Sequence, residues 1–210
     1  MKRCIIFGAL PVKELGDLPS RDDLIIAADK GYEAAVKFGL HPDYTVGDFD
    51  SRGEAPVVEN LTVLPVRKDQ TDVGYAVELG FSNGFTDFVV YGGAGGLLDH
   101  TAANIAIAHD IAARGGGAVF IGDDQSFTVI RNGKKEFADT HKGRISAFAL
   151  GGTAYGVSLT GLSYTLEDYE LSCTSHLCVS NEFVGEKAVV SVRDGSLLII
   201  WDNNGVKGLS

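Results

Sequence analysis

Residues 87–124 read DFVVYGGAGGLLDHTAANIAIAHDIAARGGGAVFIGDD. The stretch opens with DFVVYGG, a short apolar run rich in β-forming residues, which predicts a strand. DHTAANIAIAHDIAARG follows, a long amphipathic helix closed by glycines. AVFIGDD is a second short apolar run and a second strand. A strand, a helix and a strand in this order predict parallel pairing, with the helix lying on a sheet face.

The same rhythm extends towards the N-terminus. CIIFGAL, LIIAAD, DYTVGD and LTVLPV predict four earlier strands, and GYEAAVKFGL and VGYAVELGFSNG predict helices between or after them. Near residue 132 the rhythm changes. Asn132-Gly133 has the composition of a hairpin turn, and the chain beyond it is rich in Ser, Thr, Gly and β-branched residues. RISAFAL, TAYGVSLTGLSYTL, YELSCTS, AVVSVRD and SLLIIWD read as strands, with Asp194-Gly195 as a hairpin signal between the last two. The expectation is an α/β N-terminal domain with a mostly parallel sheet over residues 1–132, and an all-β sandwich or barrel domain over residues 133–210.

The 210 residues carry a net charge of −10, which argues against nucleic acid or an anionic membrane as a partner. No apolar run is long enough to cross a bilayer, and the apolar part of MKRCIIFGALPVKELG is too brief for a signal peptide. Cys4, Cys173 and Cys178 make an odd count without zinc-like spacing, so they read as small core residues of a reduced, cytoplasmic protein.

Ligands of open parallel sheets bind at the carboxyl ends of the strands. Asp29, Asp48, Asp50 and Gly92-Gly93 fall at such ends, Asp69 and Asp72 follow the fourth strand, and Asp99 follows the fifth. In VGDFDS, residues 46–51, an extended backbone points Asp48 and Asp50 the same way, so their repulsion calls for a cation or a basic neighbour. Asp48, Asp50, Asp72 and Asp99 together form a set of hard oxygen donors suited to Mg²⁺. Gly92, Gly93, Gly95 and Gly96 permit positive φ and close approach of a ligand, and they precede a helix whose first N–H groups favour an anion. This is neither GxxxxGK[ST] nor GxGxxG. Arg67 and Lys68 in RKDQTD supply positive charge for phosphate oxygens. Asp72 reads as a helix cap or a ligand. Thr71 reads as a helix cap, with a ligand hydroxyl as the other reading. His100 is the histidine to watch, because it directly follows Asp99.

GDFDS, KDQTD and GGAGGLLDH, in that order and followed by VSNEF in the β-rich half, resemble the thiamine pyrophosphokinase family over nearly the whole chain. The resemblance implies an α/β catalytic domain and a β-sandwich domain. It also implies transfer of pyrophosphate from ATP to thiamine, giving thiamine diphosphate and AMP with Mg²⁺, in a homodimer that binds thiamine between subunits. By position it makes Asp48, Asp50, Asp72 and Asp99 the catalytic and metal-binding carboxylates. It puts Asp29, Lys30, Arg67, Lys68, Thr71, Gly92, Gly93, Gly95 and Gly96 near ATP phosphates, and Tyr164, Ser180 and Asn181 near thiamine. Two departures stand out: Leu97 replaces the family's usual Arg, and Lys30 replaces a glycine. Lys30, Arg67 or Lys68 is expected to supply the missing charge. The competing readings are a Mg²⁺ phosphohydrolase with Asp48 as nucleophile, and a thiamine- or nucleotide-binding module without catalysis.

Overall fold

The computed structural model describes residues 2–47, 61–63 and 70–203. Its first half alternates strands and helices: β1 (Cys4–Phe7), β2 (Leu24–Ala28), α1 (Gly31–Lys37), β3 (Tyr44–Gly47), β4 (Leu61–Val63), α2 (Asp72–Ser82), β5 (Asp87–Tyr91), α3 (Leu98–Ala113) and β6 (Gly117–Ile121). The six strands pair in parallel in the order β4-β3-β2-β1-β5-β6. The pleat sorts their side chains. Cys4, Ile6, Phe88, Val90 and Phe120 face a core shared with α2 and α3, whereas Ile5, Phe7, Val89 and Tyr91 face α1. Parallel strands buried on both faces read as unbroken apolar runs, which is why they are legible in the sequence.

The start of this sheet is pinned by a buried carboxylate. Asp23 Oδ1 accepts from the Arg3 N–H at 2.9 Å, and its Oδ2 accepts from the Arg3 guanidinium at 3.0 Å and the Ser20 N–H at 2.9 Å. Burial pushes the Asp23 carboxyl up, but the hydrogen bonds from Arg3 and Ser20 outweigh it and hold the carboxyl below its usual range.

The second half is built from β7 (Gln125–Arg131), β8 (Lys134–Phe137), β9 (Arg144–Thr160), β10 (Leu166–Leu171), β11 (Asn181–Glu182), β12 (Ala188–Ser191) and β13 (Asp194–Asp202). Hydrogen bonding does not break at residue 132. β7 pairs antiparallel with β6 on one side and with β13 on the other, and β13 pairs with the first half of β9. The result is a mixed sheet, parallel at one end and antiparallel at the other. Phe120 and Phe127 stack with centroids 4.8 Å apart, and Phe127, Val129 and Leu198 join the core under α3.

β9 is one 17-residue strand where the sequence suggests two, and it serves two layers. Residues 145–150 pair with β13, and residues 154–160 pair with β10 and β12, which in turn pairs with β8. Gly151 and Gly152, at φ 72° and 151°, make the bend between them. The two layers enclose a second core containing Phe137, Val157, Leu171, Leu197 and Trp201. Trp201 meets Phe137 edge-on at 5.3 Å.

Two sequence expectations are corrected here. Neither Asn132-Gly133 nor Asp194-Gly195 closes a hairpin. β7 pairs with β13 and β8 with β12, so each turn carries the chain from one layer to the other. Of the cysteines, Cys4 and Cys178 are buried as expected, and burial pushes the Cys4 thiol up to about 12; Cys173 is exposed. No described helix is long and apolar enough to cross a membrane.

Candidate active site

The carboxyl ends of β2 and β5 and the N-termini of α2 and α3 meet at one edge of the parallel strands. Just past β2, Asp29 adopts a left-handed backbone, φ 51°, and its N–H donates to the Val46 carbonyl at 2.8 Å. Aspartate tolerates this conformation better than most residues, which favours it at a strand end that must turn sharply. Just past β5, Gly92 has φ 70°, and a Cβ there would lie 2.5 Å from the Leu10 carbonyl oxygen. Only glycine allows the loop after β1 to lie this close to the loop after β5.

Thr71 caps α2. Its Oγ1 accepts from the Gly74 N–H at 3.1 Å, the cap the sequence suggested. Asp72 then occupies the first turn, half-buried, where a negative charge suits the helix dipole. α3 starts differently. Its cap position is Leu97, in extended conformation, which provides no side-chain hydrogen bond to the first N–H groups. One of these, the N–H of His100, donates to Asp99 Oδ1 at 2.8 Å.

Between these elements lies a cavity of about 370 Å³. Asp29 comes from the end of β2, and Thr71 and Asp72 from the start of α2. Leu97, His100 and Asn104 lie one turn apart along α3, and Gly92 and Gly95 come from the loop before it. Asn104 is buried and donates from Nδ2 to the Gly93 carbonyl at 2.8 Å, which fixes the glycine loop against the helix. The cavity thus has two carboxylates and an imidazole on its walls and an uncapped helix start at its side. Leu10, Val73 and Leu97 add apolar surface. Such a site is chemically suited to an anion accompanied by a hard cation.

A second group of polar residues forms in the β-rich half. Asn181 is buried, and its amide is held by the backbone of residue 164. Its Oδ1 accepts from the Tyr164 N–H at 2.9 Å, and its Nδ2 donates to the Tyr164 carbonyl at 2.6 Å. This clamp presents the Tyr164 ring to solvent at 73% exposure. Beside it, Ser180 has φ 58° and donates its N–H to Ser146 Oγ at 3.0 Å. None of these three residues lines the cavity that holds Asp72.

Residues 15–120 match the family model described as thiamin pyrophosphokinase, catalytic domain, and residues 135–197 match that described as thiamin pyrophosphokinase, vitamin B1 binding domain. The chain belongs to the thiamin pyrophosphokinase family. Membership makes it an enzyme of the thiamine diphosphokinase class. It is similar to the thiamine pyrophosphokinase of Bacillus subtilis (strain 168), with 27% identity over 210 residues, 95% of this chain and 98% of that protein. Among solved structures it resembles thiamine pyrophosphokinase from Bacillus subtilis, with a TM-score of 0.84, 24% identity and coverage of 97% of this chain and 100% of that one. Thiamin pyrophosphokinase from Geobacillus thermodenitrificans gives a TM-score of 0.80 at 25% identity, covering 99% and 100%. That from Candida albicans shares the fold at 15% identity, with a TM-score of 0.76 and coverage of 96% and 89%.

Within the part matched to the thiamin pyrophosphokinase catalytic domain, the expected residues divide into three groups. Asp29, Thr71, Asp72, Gly92 and Gly95 line the common cavity. Asp99, Lys30, Gly93 and Gly96 do not. Asp99 is exposed on the first turn of α3, and Lys30 is exposed at the start of α1. Gly93 departs from the reading of the four glycines. Gly92, Gly95 and Gly96 have positive φ, but Gly93 does not. Its N–H is committed to the Ile121 carbonyl at 3.1 Å, and its Cβ-less face packs against Phe120 and Val90. Asp48, Asp50, Asp69, Arg67 and Lys68 lie outside the described residues. Among those described, no group of three or more His, Cys, Asp or Glu residues is placed to hold a metal ion. Asn104 was not expected. The signal for it was its position one helical turn after His100, on the face of α3 that must meet the glycine loop.

Proposed function

We propose that this chain transfers the pyrophosphoryl group of ATP to the hydroxyl of thiamine, giving thiamine diphosphate and AMP. One observation carries the reading: a cavity at the carboxyl edge of the parallel strands joins Asp29, Asp72 and His100 beside the uncapped start of α3, in a chain of the thiamin pyrophosphokinase family. The N–H groups at that helix start would receive phosphate oxygens, aided by Lys30 and by Arg67 and Lys68. Leu10, Val73 and Leu97 give the cavity an apolar side against which the thiamine hydroxyl would be brought to the phosphates. The carboxylates of Asp29 and Asp72 line this cavity and are hard oxygen donors, the ligand type that suits Mg²⁺. We assign Asp48, Asp50 and Asp72 to hold it, with Asp99 at the rim. When bound, Mg²⁺ would screen the charge of the transferred phosphates. Asp72 and Asp99 were the two choices for accepting the proton of the attacking hydroxyl. Asp72 is favoured, because it lines the cavity and Asp99 does not.

Residues 1–132 would then handle the nucleotide and residues 133–210 the vitamin, with Tyr164, Ser180 and Asn181 at the thiamine-binding surface. The match of residues 135–197 to a vitamin B1 binding domain supports this. Because the Tyr164 group does not line the cavity of its own chain, we assign the complete site to a homodimer, with thiamine between the cavity of one subunit and Tyr164 of the other. The exposed Tyr164, Leu177, Val179 and Val184 are the apolar surface that such contact would cover.

The test is to follow AMP, ADP and inorganic phosphate from ATP with and without thiamine. Stoichiometric AMP and thiamine diphosphate that appear only with both substrates are expected. Phosphate release without thiamine, together with an acyl phosphate trapped on Asp48, would instead make the chain a phosphohydrolase. Thiamine binding without turnover would make it a binding module.

A further inference from the structure

A second cavity, of about 140 Å³, lies on the face of the sheet opposite α2 and α3. The pleat puts Tyr91, Val119 and Ile121 there, one residue out of phase with Val90, Ala118 and Phe120. β8 and β13 close it with Phe137 and Trp201. Among the described residues, only Gly92 lines both this space and the cavity containing Asp72.

Two polar groups in this space retain unused donor capacity. Tyr91 is 1% exposed; the backbone N–H groups of Gly16 and Asp17 lie beside its hydroxyl oxygen, but the hydroxyl proton has no acceptor among the described residues. Buried hydroxyls are nearly always paired, so one left over in a cavity wall points to something that enters the cavity. Burial raises the Tyr91 pKa, so the hydroxyl keeps its proton and remains a donor. The Lys135 ammonium is half-buried and forms no close ion pair among the described residues; burial pulls its pKa down, and the Asp87 carboxylate acts in the opposite direction to keep it charged. The ammonium lies 5.8 Å from the Phe137 ring centroid. The other charged groups lining the space are accounted for. Lys13 and Asp123 pair at 3.1 Å, Glu14 is exposed to water, and His141 Nδ1 lies 3.2 Å from the Ala138 carbonyl.

The walls are therefore aromatic and aliphatic, and the uncommitted polar groups are a cation and a hydroxyl donor. A cavity of roughly 150 Å³ with apolar walls holds one benzene-sized ring. We propose that this cavity binds a planar, single-ring carboxylate, with the ring among Tyr91, Phe137 and Trp201 and the carboxylate on Lys135 and the Tyr91 hydroxyl. Such a ligand is opposite in charge to the thiazolium of thiamine, so the site is separate from the transferase site in chemistry as well as in place.

Benzoate is the probe, titrated into the intact chain and followed by amide chemical shifts. Saturable shifts at Tyr91, Ile121 and Lys135 are expected. Lys135→Met should weaken binding about tenfold or more, and Tyr91→Phe several-fold, as for lost hydrogen bonds to a charged group. Benzyl alcohol, the neutral ring, should bind about tenfold more weakly than benzoate. Tyr91→Phe removes a hydroxyl whose proton has no acceptor, so its thermal midpoint should fall little, and it keeps the test open if Lys135→Met does not fold. Absence of saturable shifts up to the solubility of benzoate, or equal affinity in wild type and variant, would overturn the proposal. So would inorganic phosphate binding as tightly as benzoate, which would leave the ring no part to play.

Discussion

The Asn132 side-chain carbonyl accepts from the Gly195 N–H at 2.8 Å, and the Asn132 N–H donates to the Gly195 carbonyl at 3.1 Å. The two turns at which the chain changes layers are thus tied to each other rather than to their own flanking strands. Both residues have positive φ, 47° and 109°, and a Cβ on Gly195 would come 3.0 Å from the Ala154 Cα. Asn132→Ala should lower stability by about 1–2 kcal/mol, and Gly195→Ala by ~2 kcal/mol or more. Urea denaturation measures both. A loss below ~0.5 kcal/mol in each would show that the tie contributes nothing.

Asn181 and Tyr164 should separate stability from substrate binding. Asn181→Ala leaves the Tyr164 N–H and carbonyl without their partner, and it should destabilise by ~1–3 kcal/mol. Tyr164→Ala removes a largely exposed ring and should change stability by less than ~0.5 kcal/mol. It should raise the KM for thiamine about threefold to thirtyfold, as expected for a ring facing a cation. Thermal melts and thiamine saturation curves for the two variants check the split.

Asp72→Asn should lower kcat by on the order of 10² or more while leaving stability within ~1 kcal/mol, because its helix keeps the Thr71 cap. Near-normal turnover with Mg²⁺ would remove Asp72 from the chemistry.

Leu97→Arg restores positive charge beside the cavity and should lower the KM for ATP several-fold. Lys30→Ala and Arg67→Ala should raise it. An unchanged KM in both alanine variants would show that neither compensates for the absent arginine.

Acid should weaken the start of the sheet through Asp23. Its carboxyl is held below the usual range in the folded state, so the stability it brings is complete above the unfolded carboxylate value and is lost as pH falls through the lower, folded one. Unfolding free energy measured from about pH 5 downward should therefore fall less steeply in Asp23→Asn than in wild type. Arg3→Met at neutral pH leaves a buried carboxylate without its cation and should cost ~3 kcal/mol. Equal acid slopes in wild type and Asp23→Asn would exclude this carboxylate as a source.

The parallel half was legible because each of its strands is buried on both faces. Runs such as Cys4–Phe7 and Asp87–Tyr91 announce themselves, and the glycines after α3 mark its end. The meeting of Asp29, Asp72 and Gly92 followed from one topological rule about strand ends, whereas the rule brought in Asp99, which stays outside the cavity, and not His100, which lines it. The antiparallel half was less legible for two reasons. Gln125–Arg131 and Lys134–Phe137 are short strands of mixed polarity, and what makes them strands is pairing with β13 and β12, more than fifty residues away. Asn-Gly and Asp-Gly signal a reversal of the chain but not which sheet receives it, so two layer crossings looked like hairpins. Gly151-Gly152 looked like a break between strands because a bend and a break share the same residues. The part played by Asn181 was hidden for a related reason. VSNEF marks Asn181 through a family resemblance, but only the backbone of residue 164 shows that its amide is committed within the fold.

The placement of β13 between β7 and β9 bears on how the polypeptide reaches its final form during translation. Residues 194–202 leave the ribosome after every other strand described, yet they fill a gap in the middle of the antiparallel end. Until they arrive, β7 is an unguarded edge bearing Phe127 and Val129, and β9 has lost its long neighbour. A nascent chain halted before residue 194 would therefore be sticky and a good client for chaperones, and the last step of folding would be the insertion of a strand rather than the docking of one finished half on another.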